Sequence, residues 1–155
     1  MTNEELMRRA IELSENSVKS GGGPFGAVIA RDGEIIAEGS NNVTINMDPT
    51  AHAEVSTIRK ACKKLGTFDL SGCVIYTSCE PCPMCFGAIY WAHLEKIYYA
   101  NDRKDAGKIG FDDGFIYEEI AVKPQYRKKP SEILLRNEAI NAFRMWEKKE
   151  DKTEY

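Results

Sequence analysis

Residues 73–100 read CVIYTSCEPCPMCFGAIYWAHLEKIYYA, and the architecture follows from this stretch. CVIYTS is an apolar run of strand length, and KIYYA from Lys96 is another. Between them PCPMCFGAIYWA carries Pro81 and Pro83 at its head, where proline is tolerated in a helix, and none further in. Strand, helix, strand in that order predicts a parallel, right-handed crossover.

Working upstream, Asp48-Pro49-Thr50 offers a helix cap and a first-turn proline, and Ala51, Val55, Ile58, Cys62 and Leu65 then mark one face until Gly66. This helix carries His52 and Glu54 at its start. FGAVIAR and EIIAEG are two apolar runs on either side of Asp32-Gly33, a type I′ hairpin signal. Thr2 with Glu5 three residues on is a capping box, and Leu6, Ala10 and Leu13 recur behind it, which predicts a helix over about 3–18 that Gly21-Gly22-Gly23-Pro24 breaks.

Downstream the pattern weakens. AGKIGFDDGF is glycine-rich and irregular, FIYEEIAV fits helix or strand, EILLR is assigned to a final strand, and the last helix is placed at 139–148. The sum is a single domain over 1–155 of class α/β: a three-layer α/β/α sandwich with a mixed sheet of about five strands and helices on both faces.

Composition narrows the function classes. The chain has 155 residues, 43% of them hydrophobic, enough for one sizeable core. Lys and Arg number 21 against 24 Asp and Glu, a net charge of −3 with no long single-sign block, so nucleic acid is disfavoured as a partner. MTNEELMRRA has no apolar signal region and no stretch reaches membrane-spanning length, so a cytoplasmic protein is expected. Three of the five cysteines fall within 79–85, which favours reduced thiols, some on metal, over disulfides.

The chemistry-bearing residues are His52-Ala53-Glu54 at one predicted helix start and Pro81-Cys82-Pro83-Met84-Cys85 at another. Cys82 and Cys85 are three apart on one helix face, near an N-terminus whose dipole favours thiolates. With the His52 imidazole they make three ligands of borderline-soft character, which suits one zinc ion and leaves a fourth tetrahedral position for water. Zinc lowers the pKa of such water from roughly 15.7 toward about 7, and Glu54 is the carboxylate assigned to carry protons between it and a substrate. Residues two apart on a regular helix point to nearly opposite sides, so His52 and Glu54 share a site only if it lies over the helix end. Against this stands a purely structural site, closed by Cys79 as a fourth ligand, which leaves Glu54 without a task. Cys62 and Cys73 read as small core residues, and His93 as a helix-end or surface histidine.

H-x-E followed by P-C-x-x-C is the pattern of zinc deaminases that act on nucleobases. With GGPFGAVI, NNVT, DPTAHAEV, IRKAC, SCEPCPMC, GAIYWA, GFDDGFIYEEI and the final Glu154-Tyr155, the whole chain resembles the cytidine deaminase-like superfamily and, within it, the bacterial guanine deaminase branch. DPTAHAEV and SCEPCPMC also occur in tRNA adenosine deaminases, so GFDDGFIYEEI and the terminal Glu-Tyr discriminate. The resemblance implies zinc on His52, Cys82 and Cys85, a proton shuttle at Glu54, and a base-binding Asn41 with Ala53 beside it in the substrate pocket. It also implies guanine-specific groups at Asp113, which aids the departing amino group, and at Tyr155, which closes the pocket. Without it Asn41 is a turn residue, Asp113 a loop acid, with Asp112 equally eligible, and Tyr155 a frayed terminus. Phe25 and Trp91 fit stacking walls for a planar base, although aromatic residues at element ends are more often core. Relatives of this fold assemble, so a homodimer is expected in which residues 138–155 of one subunit cross to the other and Tyr155 acts in trans. Competing readings are a deaminase of guanosine, cytosine or tRNA adenosine, and a non-catalytic zinc-stabilised binding module.

Overall fold

Thr2 begins the first helix as its spacing predicts: its hydroxyl accepts from the Glu5 amide at 3.2 Å while the Glu5 carboxylate accepts from the Thr2 amide at 2.7 Å. The computed structural model describes residues 1–155, and this helix, α1, spans Asn3–Lys19. Strands β1 (Gly26–Arg31) and β2 (Glu34–Ser40) pair antiparallel, and Asp32 and Gly33 between them have φ of 50° and 80°, the two positive values a type I′ turn requires. A short helix α2 (Val43–Asn46) follows, then α3 (Ala53–Leu65), which Gly66 ends at φ 66°. Strands β3 (Val74–Cys79) and β4 (Lys96–Asn101) pair parallel across α4 (Pro83–Trp91), the crossover read from residues 73–100.

The sheet order is β2-β1-β3-β4, mixed, with four strands. β1 is central and covered on both faces. Ala27 and Ile29 join Ala53, Ala61, Ile75 and Ile89 in one cluster, while Val28 and Ala30 join Leu6, Ala10 and Tyr76 in the other. The helices α3 and α4 therefore pack one face and α1 the opposite one, which is the three-layer sandwich. A Cβ at Gly26 would lie 2.6 Å from the Ser14 amide nitrogen, so the approach of α1 to β1 depends on glycine there.

Two expectations need correction. The sheet has one strand fewer than predicted, because Leu135 adopts φ 55° and caps helix α7 (Arg136–Lys148), which breaks EILLR and leaves Ile133 and Leu134 84% and 82% exposed. The predicted cap at Asp48 is spent locally: its carboxylate accepts from the Thr50 amide and hydroxyl at 2.8 and 2.7 Å, closing a turn, and α3 starts only after His52. Asp102 and Asp105 form a capping box for α5 (Arg103–Lys108), a D-x-x-D signal present in the sequence and missed. FIYEEIAV is helical up to Ala121, within α6 (Gly114–Ala121).

The chain forms two compact units, Met1–Gly114 and Phe115–Tyr155. The second holds most of α6, a 3-10 turn at Pro124–Tyr126 and α7. Within it Arg127 reaches back to the last turn of α6, its Nε donating to the carbonyls of Glu119 and Val122 at 2.9 Å each.

Candidate functional site

His52 is the N-cap of α3, at φ −65° and ψ 158°, so its backbone is extended and its ring projects beyond the helix end. Glu54, one residue into the helix, is buried. This is the arrangement over a helix end that the two-residue spacing demanded. Cys82 plays the same part for α4, at φ −67° and ψ 168° with Pro83 next, and Cys85 follows within the first turn.

The three ligand residues converge. His52 Nδ1 lies 3.5 Å from Cys82 Sγ and 3.5 Å from Cys85 Sγ, and all three candidate donor atoms fall within 4.8 Å of one another. A tetrahedral ion with bonds of about 2.3 Å to sulfur and about 2.05 Å to nitrogen separates those atoms by roughly 3.6 Å, so the donor set fits zinc. Cys79 is outside the group: it ends β3, and its sulfur approaches the Asp102 carbonyl at 3.8 Å. Burial pushes its thiol up to about 11. Three ligands rather than four leave a coordination position for water.

The electrostatics prepare the same site. A hydrogen bond from Cys85 and the contact with His52 bring the Cys82 thiol down to about 4, while the shared contact and burial push Cys85 up. The Cys82 sulfur raises the His52 imidazole. Burial raises the Glu54 carboxyl against smaller lowering contributions from Cys85 and Thr77. A thiolate beside an imidazole, with a buried carboxyl group behind them, makes a site suited to a cation with a group able to take up a proton at its edge.

The other anticipated residues are placed unequally. Asn41 is buried after β2, its Oδ1 accepts from the Val43 amide at 3.1 Å, and its own amide donates to the Phe25 carbonyl at 3.0 Å. With Oδ1 engaged, the side-chain NH₂ is oriented as a donor. Phe25 packs against the core and meets the Phe111 ring edge-on at 5.0 Å. The Ala53 side chain is wholly within the core. Trp91 ends α4 and is 68% exposed. Asp112 and Asp113 separate cleanly: the Asp112 carboxylate accepts from the Gly114 amide at 2.9 Å, whereas Asp113 Oδ1 is buried with no hydrogen-bond partner. Burial raises the Asp113 carboxyl, and the negative Cys82 adds to the rise. Tyr155 belongs to the second unit and is largely exposed.

Sequence reasoning missed Thr77, whose hydroxyl sits 2.9 Å from Glu54 Oε1, and Ser17, whose hydroxyl donates to the Gly23 carbonyl at 2.6 Å with the Asn41 carbonyl 3.3 Å away. Neither has a motif of its own; each is a polar residue at a buried position, the one available signal.

Comparison with known proteins follows the same lines. Residues 1–101 match the family described as the cytidine and deoxycytidylate deaminase zinc-binding region. Guanine deaminase of Bacillus subtilis (strain 168) is 52% identical over 156 residues, covering 100% of both chains. An X-ray structure of guanine deaminase from Bacillus subtilis superposes with a TM-score of 0.97, at 52% identity, over 100% of this chain and 99% of that one. A tRNA-specific adenosine deaminase of Aquifex aeolicus is 38% identical, but over 70% of this chain and 73% of its own.

Proposed function

The chain belongs to the cytidine and deoxycytidylate deaminase zinc-binding family, and from that premise we propose that it is a zinc-dependent aminohydrolase that converts guanine and water to xanthine and ammonia. The observation that carries the chemistry is the open three-ligand group of His52, Cys82 and Cys85 with the buried Glu54 beside it. Similarity to a guanine deaminase across both units, against partial coverage by the tRNA enzymes, supports guanine as the substrate.

Zinc, one per subunit, supplies Lewis-acid activation of a water at neutral pH. The chain does the rest. Glu54 accepts the proton of the attacking water and delivers it to a ring nitrogen as the water oxygen bonds to C2 of guanine. Asn41 donates its oriented NH₂ to an acceptor on the base. Ala53 contributes its backbone N–H, which has no acceptor inside the helix. The proton of the new C2 hydroxyl passes through Glu54 to the amino nitrogen as the C2–N bond breaks, leaving the C2 carbonyl and ammonia. Asp113, whose Oδ1 is unpartnered, hydrogen-bonds the departing group, and Phe25 and Trp91 flank the ring. In this reading Tyr155 closes the pocket from a partner subunit, with residues 138–155 crossing over in a homodimer. Exposed Phe143 and Trp146 on α7 support an association surface there. No helix is long and apolar enough to cross a membrane, which fits a cytoplasmic enzyme.

The test is to incubate zinc-loaded protein separately with guanine, guanosine, cytosine, adenine and tRNA, following ammonia and identifying each product. Xanthine from guanine alone supports the reading. Turnover elsewhere with silence on guanine keeps the mechanism and removes the substrate assignment, and sedimentation showing a fully active monomer removes the shared pocket.

A further inference from the structure

Thr57 and Thr77 are both 0% exposed, yet their hydroxyls are used differently. Thr57, on α3, bonds to backbone, donating to the Ala53 carbonyl at 2.7 Å with the Ala27 carbonyl at 3.5 Å. Thr77, on β3, lies 3.0 Å from the Cys79 carbonyl and 2.9 Å from Oε1 of Glu54, a side chain supplied by α3 on the sheet face it packs. A hydroxyl can donate one hydrogen bond and accept others, so Thr77 holds Glu54 Oε1 in either protonation state: it donates to an ionised oxygen, or accepts from a protonated one while donating to the Cys79 carbonyl. With Thr77 bonded to Oε1, the Glu54 carboxyl is anchored at one edge.

We propose that Thr77 is a positioning residue for the proposed reaction, its hydroxyl holding Oε1 of Glu54 and so fixing the orientation of that carboxyl group in the site. This rests on the reading of Glu54 as proton carrier. The hydrogen bonds of the Thr77 hydroxyl go to Glu54 and to the Cys79 carbonyl, so it acts through the carboxyl group, whose rotation about its terminal bond it restricts. Thr57, equally buried, has no such link and serves as the internal control.

The experiment compares Thr77→Val, Thr77→Ser and Thr57→Val in the full-length zinc-loaded protein by zinc content, melting, kcat and KM on guanine, and the infrared carboxyl band that disappears in Glu54→Gln. Thr77→Val is expected to lower kcat about ten- to a hundredfold, the worth of one hydrogen bond to a charged group, with KM and zinc content unchanged. Thr77→Ser should restore kcat, Thr57→Val should leave it near wild type, and the Glu54 band should shift in Thr77→Val alone. A kcat within twofold of wild type, an equal loss in Thr57→Val, or an unmoved band overturns the proposal. Should Thr77→Val not fold, Thr77→Ala is judged by the same criteria. Retained turnover in Glu54→Gln sinks the proton-carrier reading instead, and the band shift then still reports whether the Thr77 contact exists.

Discussion

The unit Met1–Gly114 and the unit Phe115–Tyr155 treat apolar side chains in opposite ways. In the first, Leu6, Ile29, Leu70 and Ile75 are at 0–1% exposure between a sheet and helices on both its faces. In the second no residue is buried, and Ile133, Leu134 and Phe143 are 84%, 82% and 74% exposed. A segment of roughly forty residues with two helices has too little area to close a core of its own. Apolar residues kept exposed in such a segment mark a surface for association, which the proposed homodimer uses. The candidate zinc ligands and the proposed proton carrier all lie in the unit that closes its own core, where rotamers are held by packing.

Four experiments sharpen or break that contrast. Glu54→Gln should cut guanine turnover by about a thousandfold or more while zinc content holds; activity that survives would place the proton carrier elsewhere. Ending the chain after Gly114 should leave zinc binding and a cooperative melt but lower turnover by about a hundredfold, the scale of a misplaced substrate; full activity in the shortened chain would remove the second unit from the pocket. In urea titrations Ile75→Ala should cost about 2–5 kcal/mol, a core deletion, whereas Phe143→Ala should cost under about 0.5 kcal/mol per subunit and act on assembly instead. Equal losses would mean that the second unit has an interior after all. The smallest effect concerns the ion pair between α1 and β2, where Arg9 Nη2 and Glu38 Oε1 are 2.6 Å apart and both side chains are about one third exposed. The hydrogen bond from Arg9 lowers the Glu38 carboxyl below 4.5, so its stabilisation is present above pH 4.5 and lost as pH falls through the folded value. Arg9→Ala should cost about 0.5 kcal/mol at pH 7 and less at pH 3.

Where a local rule acts alone, the sequence was readable. The Thr2–Glu5 box, the Asp32-Gly33 turn and the proline-headed crossover each depend on a few adjacent residues. EILLR misled because a short apolar run shows that a segment fits a strand and says nothing of whether a neighbouring strand is there to pair with it; Leu135 in the left-handed region settles against it. Asp48-Pro49-Thr50 misled because a short acid that caps a helix also closes a turn on itself, and the hydroxyl of Thr50 decided between the two. At the site, His52, Glu54, Cys82 and Cys85 were visible as motifs, and their convergence was expected from chemistry. Thr77 was invisible, because its link to Glu54 joins positions 23 residues apart on different elements.

Both helices that supply the ligand group begin without a side-chain cap, because His52 and Cys82 occupy the cap positions and turn toward each other instead. A single cation held there would tie two helix starts to one point. Metal supply then governs how long the polypeptide survives as well as how fast it works: chains made under zinc starvation would open first at these two ends and be cleared by proteases, while those that capture an ion persist.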